Sequence, residues 1–291
     1  MTSIASYTIF SIEGDVFEMT RQKKIAVIND FSGFGRCSLT VSIPIISVTG
    51  IQCCPLPTAI LSNHTGYEDF FFDDYTDKMQ LYYSKWEKLG LHFDGIYSGF
   101  LGSERQVEIV EDFIKRFSSD ETIVIIDPVM GDDGRIYATL TRELCRRLKK
   151  LAAKADIITP NITETCILTG LPYTTQPDAK FLLSASEKLR HMGSRNIVIT
   201  GINQGNTIGN FIYKEDGTYT LLSTPVAGIS RAGTGDVFSS VIAADQVNGI
   251  PLESSVKRAA EFVAHAIKLS DEQTIPTQDG ICFEKILSEL I

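Results

Sequence analysis

The chain has 291 residues, 43% hydrophobic and 22% charged, enough apolar material for one large α/β domain or two ordinary ones. A net charge of −9 argues against nucleic acid or an anionic membrane as the main partner, though not against a small anionic substrate held by local N–H groups. No apolar run reaches the ~18 residues that span a bilayer. The six cysteines, Cys37, Cys53, Cys54, Cys145, Cys166 and Cys282, form no C-x-x-C pair and no zinc pattern with the histidines, which points to free thiols in a reducing, cytoplasmic compartment.

In chain order, Met1 to Phe17 lacks the basic start and apolar centre of a secretion signal, and residues 1–22 read as a disordered or non-native extension. Lys24–Asn29 predicts a buried strand, Cys37–Val48 a helix broken at Pro44, and Cys53–Leu61 an extended segment. A helix is predicted over Asp77–Leu89, a strand over Gly95–Ser98, a helix over Glu104–Phe117 and an unalternating strand over Thr122–Ile126. Leu140–Ala153 predicts a basic amphipathic helix, Asp156–Thr159 a strand, and Ile162–Thr169 a short helix ended by Gly170. Lys180–Met192 reads as a helix and Asn196–Thr200 as a strand. Asn206–Tyr213 and Thr218–Leu222 flank the turn Glu215-Asp216-Gly217 and predict a hairpin. Asp236–Val247, Glu253–Leu269 and Phe283–Leu290 are the last predicted helices.

Strands without a polar face, alternating with helices, predict an α/β fold: a doubly wound, mostly parallel sheet with helices on both faces. No linker or repeat divides residues 23–291, so one domain is expected there. Ligands of such sheets gather beyond the carboxyl ends of the strands.

Four strand-end or helix-start segments stand out. After the first strand, Asn29 to Arg36 reads as a flexible, polar loop on the substrate side, with Asp30 available to a substrate hydroxyl or ring nitrogen, or simply forming a turn. Its Gly33-Phe34-Gly35 resembles part of a dinucleotide fingerprint, but Ser38 holds the third glycine position and the nicotinamide-dehydrogenase reading is weak. Asp127 to Gly134 crowds Asp127, Asp132 and Asp133, which suits either an exposed acidic turn or Mg²⁺. In Thr159-Pro160-Asn161-Ile162-Thr163-Glu164, Asn161 and Glu164 fit a capping box and could also hold metal-bound water.

The fourth segment is Ala232-Gly233-Thr234-Gly235-Asp236, running into an apolar helix. Gly233 and Gly235 allow the backbone close to an anion, and the helix N–H groups and dipole favour one there. Asp236 beside a phosphate is a poor ligand but a useful proton acceptor, a combination suited to phosphoryl transfer to an alcohol. The dipole alone also favours an acid in a first turn. The chain has no G-x-x-x-x-G-K-[ST] and no protein-kinase elements.

With these motifs in this order, the chain resembles the ribokinase-like superfamily and, within it, the pyridoxal and pyridoxamine kinases. The carrying residues are Ser62-Asn63-His64-Thr65-Gly66-Tyr67, Asp127 to Asp132, Thr159-Pro160-Asn161 with Glu164, and Gly233 to Asp236. The resemblance spans roughly Lys23 to the C-terminus, and the Ser62–Tyr67 run is its most specific part. It implies an ATP-dependent kinase acting on the 5′-hydroxyl of a vitamin B6 vitamer. Asp236 would then be the base and Gly233, Thr234 and Gly235 the anion hole. Asp127, Asp132, Thr159, Asn161, Glu164 and Thr200 would surround ATP, with Asp127 and Glu164 on the Mg²⁺ side. His64, Thr65 and Tyr67 would line the pyridine pocket, with Asp30 and Phe100 on the same side. The resemblance also implies a homodimer and allows a monovalent cation such as K⁺. Asp30 stands where relatives commonly carry Ser, and Phe100 where animal-type enzymes carry Tyr; both differences fall on the substrate side. Hydroxymethylpyrimidine kinase activity and a non-catalytic B6-binding role are the alternatives.

Overall fold

The computed structural model describes residues 21–137 and 140–291. The predicted extension over 1–22 lies, except for its last two residues, outside the described residues. The chain opens with β1 (Lys24–Phe34), α1 (Ser38–Val48), β2 (Gln52–Asn63), a short β3 (Phe72–Asp74) and α2 (Thr76–Lys88). It continues through β4 (Gly95–Ser98), α3 (Glu104–Phe117), β5 (Ile123–Ile126), the small hairpin β6 (Gly131–Asp132) and β7 (Arg135–Ile136), and α4 (Arg142–Ala152). Then come β8 (Ile157–Ile158), α5 (Ile162–Thr169), α6 (Ala179–Met192), β9 (Asn196–Asn203), β10 (Thr207–Tyr213) and β11 (Tyr219–Pro225). The last elements are α7 (Thr234–Val247), α8 (Leu252–Glu272) and two 3₁₀ segments, Thr277–Asp279 and Glu284–Leu290.

Nine strands form one sheet in the order β11-β10-β9-β8-β5-β4-β1-β2-β3. β2, β1, β4, β5, β8 and β9 run parallel, and the antiparallel strands β3, β10 and β11 complete the two edges. The apolar strands have the physical consequence the sequence foretold, because both faces are covered. In β1, Ile25 and Val27 pack into a core with α1, α7 and α8, while Ala26 and Ile28 pack with α2, α3, α4 and α6. β1 is followed in the sheet by β2 on one side and β4 on the other, so the winding reverses between β1 and β4. The crevice at their carboxyl ends is where a doubly wound sheet holds its ligand.

Three expectations need correction. α1 runs through Pro44 without a break. The proline forfeits one helix hydrogen bond, but full burial of Ile45 and Ile46 against the α7 side and the Ser240–Ser42 hydroxyl bond of 2.9 Å hold the helix together. Asn29 to Phe34 is not a loop but the second half of β1, paired with β2 across an irregularity between Asn29 and Phe31. Gly33 therefore lies in a strand, and of the two glycines only Gly35, with φ of 84°, stands in the bend before α1. Finally, Glu284–Leu290 is 3₁₀ rather than α-helical. β3 and the β6–β7 hairpin are too short to leave a periodic signature.

Candidate active site

A cleft of about 750 Å³ opens along the carboxyl ends of the sheet. The Ala232–Asp236 segment forms one wall of it. Gly233 caps α7 in the left-handed conformation, with φ of 76°, and no side chain caps this helix. The backbone N–H groups of Thr234, Gly235 and Asp236 therefore have no partner among the described residues, and all three residues line the cleft. Uncommitted N–H groups at a helix start form an anion site in which the dipole adds to the hydrogen bonds. Gly235 has ordinary helical geometry, so of the two glycines only Gly233 answers a backbone requirement.

Three buried or half-buried carboxylates line this cleft. Asp236 accepts a 3.1 Å bond from Asn29 Nδ2, and its pKa is pushed up to about 6, mainly by burial and then by the charge of Asp30. Asp127, just beyond β5, accepts from the Thr159 hydroxyl at 3.1 Å, and burial followed by the charge of Asp236 raises its pKa. Glu164 is raised well above the usual carboxylate range by burial and then by Asp127. The capping box forms as the sequence predicts: Asn161 Oδ1 accepts from the Glu164 N–H at 2.9 Å, and Glu164 accepts from the Asn161 N–H at 2.8 Å. Glu164 also accepts from the Met130 N–H at 3.1 Å and still lines the cleft. The capping and functional accounts of this residue are thus compatible. Asp132, Thr159, Asn161 and Thr200 line the same cleft, Thr200 being bridged to Asn161 across the sheet.

Buried carboxylates that raise one another's proton affinity fit a cation, which would relieve the repulsion. Among the described residues no group of three or more metal-binding side chains is assembled. Both Glu164 oxygens already accept backbone N–H bonds, so Asp127 and Glu164 suit an ion such as Mg²⁺ that keeps its own waters.

The residues predicted on the substrate side divide. Phe100 lines the cleft; Asp30, His64, Thr65 and Tyr67 do not. Asp30 is buried, with its two oxygens taken by the hydroxyls of Ser38 at 2.6 Å and Ser32 at 2.9 Å, and burial raises its pKa. His64 Nε2 lies 2.6 Å from the Gln278 carbonyl oxygen, and the Tyr67 hydroxyl donates to Asp279 at 2.6 Å. Thr65 is exposed. The Ser62–Tyr67 run thereby clamps the Thr277–Asp279 turn. That turn in turn accepts from the Arg36 and Ala232 N–H groups, at 3.1 and 3.3 Å, and so braces the Ala232–Asp236 segment from behind. Sequence reasoning missed Asn29, Ser38 and Tyr137. Asn29 was within reach, as the last residue of the predicted first strand. Ser38, with a left-handed φ of 53° and its N–H facing Asp236, leaves no sequence signal. Tyr137, across the cleft, is flanked by residues outside the described ones.

A family model described as phosphomethylpyrimidine kinase matches residues 88–281, more than half of the chain. The chain belongs to that family. Its fold is ribokinase-like. A Bacteroides thetaiotaomicron protein, provisionally described as a phosphomethylpyrimidine kinase, superimposes with a TM-score of 0.91 at 39% identity, covering 94% of this chain and 96% of that one. An orthorhombic crystal form of it is with pyridoxal and gives a TM-score of 0.88. The hydroxymethylpyrimidine/phosphomethylpyrimidine kinase of Haemophilus influenzae is 31% identical over 58% of this chain, and the match spans only 63% of that enzyme. A pyridoxal kinase of Leifsonia xyli is 25% identical over 82% of this chain and 87% of its own length. Among the described residues no helix is long and apolar enough to cross a membrane.

Proposed function

We propose that the chain is an ATP-dependent kinase that phosphorylates the 5′-hydroxyl of a vitamin B6 vitamer: pyridoxal, pyridoxamine or pyridoxine. The observation that carries the kinase reading is Asp236, a carboxylate held in the first turn of a helix with no side-chain cap, whose free N–H groups face a cleft. A protein that only bound the pyridine would gain nothing from a carboxylate beside a phosphate. Pyridoxal in the Bacteroides relative, 39% identical over most of both chains, favours a B6 vitamer as acceptor. The match to phosphomethylpyrimidine kinases and the Haemophilus relative favour the second reading, a hydroxymethylpyrimidine as acceptor.

The geometry supports a division of labour within this reading. The N–H groups of Thr234, Gly235 and Asp236 and the α7 dipole stabilise charge on the transferred phosphoryl group, whose reaction depends mostly on positioning and electrostatics. Asp236 takes the proton of the attacking hydroxyl as the new P–O bond forms and the bond from the γ-phosphorus to the bridging oxygen breaks, releasing ADP. Asp127 and Glu164 would hold Mg²⁺, and the ion would supply charge neutralisation on the nucleotide phosphates. The rest of the cleft wall, including Thr200 and Asn161, orients the nucleotide.

A coupled ADP-release assay on the three B6 vitamers and hydroxymethylpyrimidine in parallel tests this reading. Turnover of at least one vitamer is expected, with kcat/KM above that for the pyrimidine. Efficient turnover of the pyrimidine alone would shift the assignment to the second reading. Glu164→Gln addresses the metal side. A Gln keeps one acceptor for the capping box but turns an amide donor toward a backbone N–H. Loss of a water-mediated metal contact raises the Mg²⁺ concentration for half-maximal activity by about 10-fold or more. An unchanged Mg²⁺ titration with a lowered melting temperature would leave Glu164 as a helix cap only.

A further inference from the structure

We propose that Asn29 is the positioning residue for Asp236: its side-chain amide fixes the orientation of that carboxylate at the carboxyl end of the sheet. The inference rests on Asp236 acting as the base. Asn29 is fully buried in β1. Its Oδ1 accepts two backbone N–H bonds, from Asp30 at 3.0 Å and from Phe100 at 2.9 Å. With the amide turned over, its NH₂ would meet both donors head-on, so the flip is closed. Nδ2 is thereby committed to the opposite side, where it donates to Asp236 Oδ1 at 3.1 Å.

The anchors of this amide are backbone groups in, or just beyond, two central strands. The Asp30 N–H belongs to β1, and the Phe100 N–H lies two residues beyond β4. These are the two strands between which the winding reverses. Gly99 completes the arrangement, because a Cβ at that position would overlap the Asn29 amide. A glycine after β4 is thus what lets an asparagine midway along β1 reach across to α7.

Asp236 needs such a donor. The ionisable groups near it are Asp30 and Asp127, with Cys37, Tyr97 and Tyr137, all neutral or negative when they titrate. The nearby Arg231 spends its guanidinium on the Ile275 and Pro276 carbonyls and on Asp271. Of the described side chains, Asn29 is the one that donates a hydrogen bond to the Asp236 carboxylate, and the Ser38 backbone N–H faces the same group. A donor to the ionised form favours it, as a base requires.

The test uses Asn29→Asp and Asn29→Ala in the full chain, with Asp236→Asn in parallel. Asn29→Asp retains an oxygen for the Asp30 and Phe100 N–H groups but presents an oxygen to Asp236. In both variants kcat is expected to fall by about 10²-fold, the scale of a misplaced catalytic group, with KM for ATP near the wild-type value. In Asn29→Asp the acid limb of the kcat/KM pH profile also moves up by about one pH unit or more, because two facing carboxylates share a proton. The swap Asn29→Asp/Asp236→Asn restores an amide–carboxylate pair, so its melting temperature recovers while kcat does not. Unchanged kcat in the Asn29 variants, or equal losses in kcat, ATP affinity and melting temperature with the pH limb unmoved, overturns the inference. If Asn29→Asp does not fold, Asn29→Ala and its kcat-against-KM split decide alone. Should Asp236→Asn keep its kcat, the base assignment falls first, and that result is separate from the Asn29 outcome.

Discussion

Asp236→Asn is expected to lower kcat by about 10²–10⁴-fold, the range for loss of a positioned general base, while KM for ATP changes little. The substitution preserves size and the first-turn position in α7 and removes only basicity. The base must be ionised to act, and burial pushes its pKa up to about 6. Wild-type kcat/KM should therefore fall as pH drops through about 6, and that limb should be missing from the residual activity of the Asn variant. Stability should respond in the opposite sense to activity. In the folded state the carboxylate keeps its proton to higher pH than in the unfolded chain, where an Asp titrates near its ordinary value. Between those two pKa values the folded protein holds more protons, so stability falls as pH rises through that window and the penalty is complete above it. Asn at position 236 carries no such penalty. Its melting temperature at pH 8 is expected to equal or exceed that of the wild type. Steady-state kinetics and thermal melts across pH 5–8 check both halves. Near-normal kcat in the Asn variant would reduce Asp236 to a helix-start residue.

Asp127 and Glu164 extend the same physical argument, since burial raises both. The site gathers charge at a cost in stability that a bound cation and nucleotide would offset. Strained Ser38 and the crowded acids lie together at one end of the sheet, whereas most of the fold, Pro44 in α1 and left-handed Thr274 apart, follows its local preferences.

That contrast explains how much could be read from the chain alone. The parallel core was legible because runs such as Lys24–Asn29 and Thr122–Ile126 have no polar face, and only a sheet covered on both sides buries them. The Asn161–Glu164 capping box and the Gly170 stop were legible because both are local, set by residues within a turn of one another. Contacts made across the sheet were not. Nothing near Asn29 in the sequence announces that its amide will meet an acid 207 positions later. Likewise His64 and Tyr67 looked like pocket residues because of the motif they belong to, yet they touch the Thr277–Asp279 turn, whose position depends on the docking of α8. Pro44 misled for the opposite reason. A local rule was applied where tertiary burial of Ile45 and Ile46 decides.

The two glycines of the anion hole should separate under mutation, in a way that locates the transferred phosphate. At Gly233 the backbone is left-handed, and a Cβ would overlap the Arg36 carbonyl oxygen. Gly233→Ala therefore strains the backbone and pushes the loop off the Arg36 and Thr277–Asp279 brace. Both melting temperature and activity are expected to fall. Gly217→Ala serves as the control for strain alone, as its φ is 83° and a Cβ there meets nothing within 4 Å. It should cost a little stability and no activity. Gly235 is the informative case. Its φ is ordinary, and an added Cβ finds only Asp127 Oδ2, at 3.9 Å, an easy contact. The protein has no structural need for glycine there, so Gly235→Ala should melt like the wild type. The methyl group, however, stands on the exposed side of the helix start, where the phosphoryl group must approach the N–H groups. Blocking or misaligning one such donor costs about 10²–10³-fold in kcat. A Gly235→Ala protein that is stable and still fully active would mean that the phosphate does not sit at the start of α7.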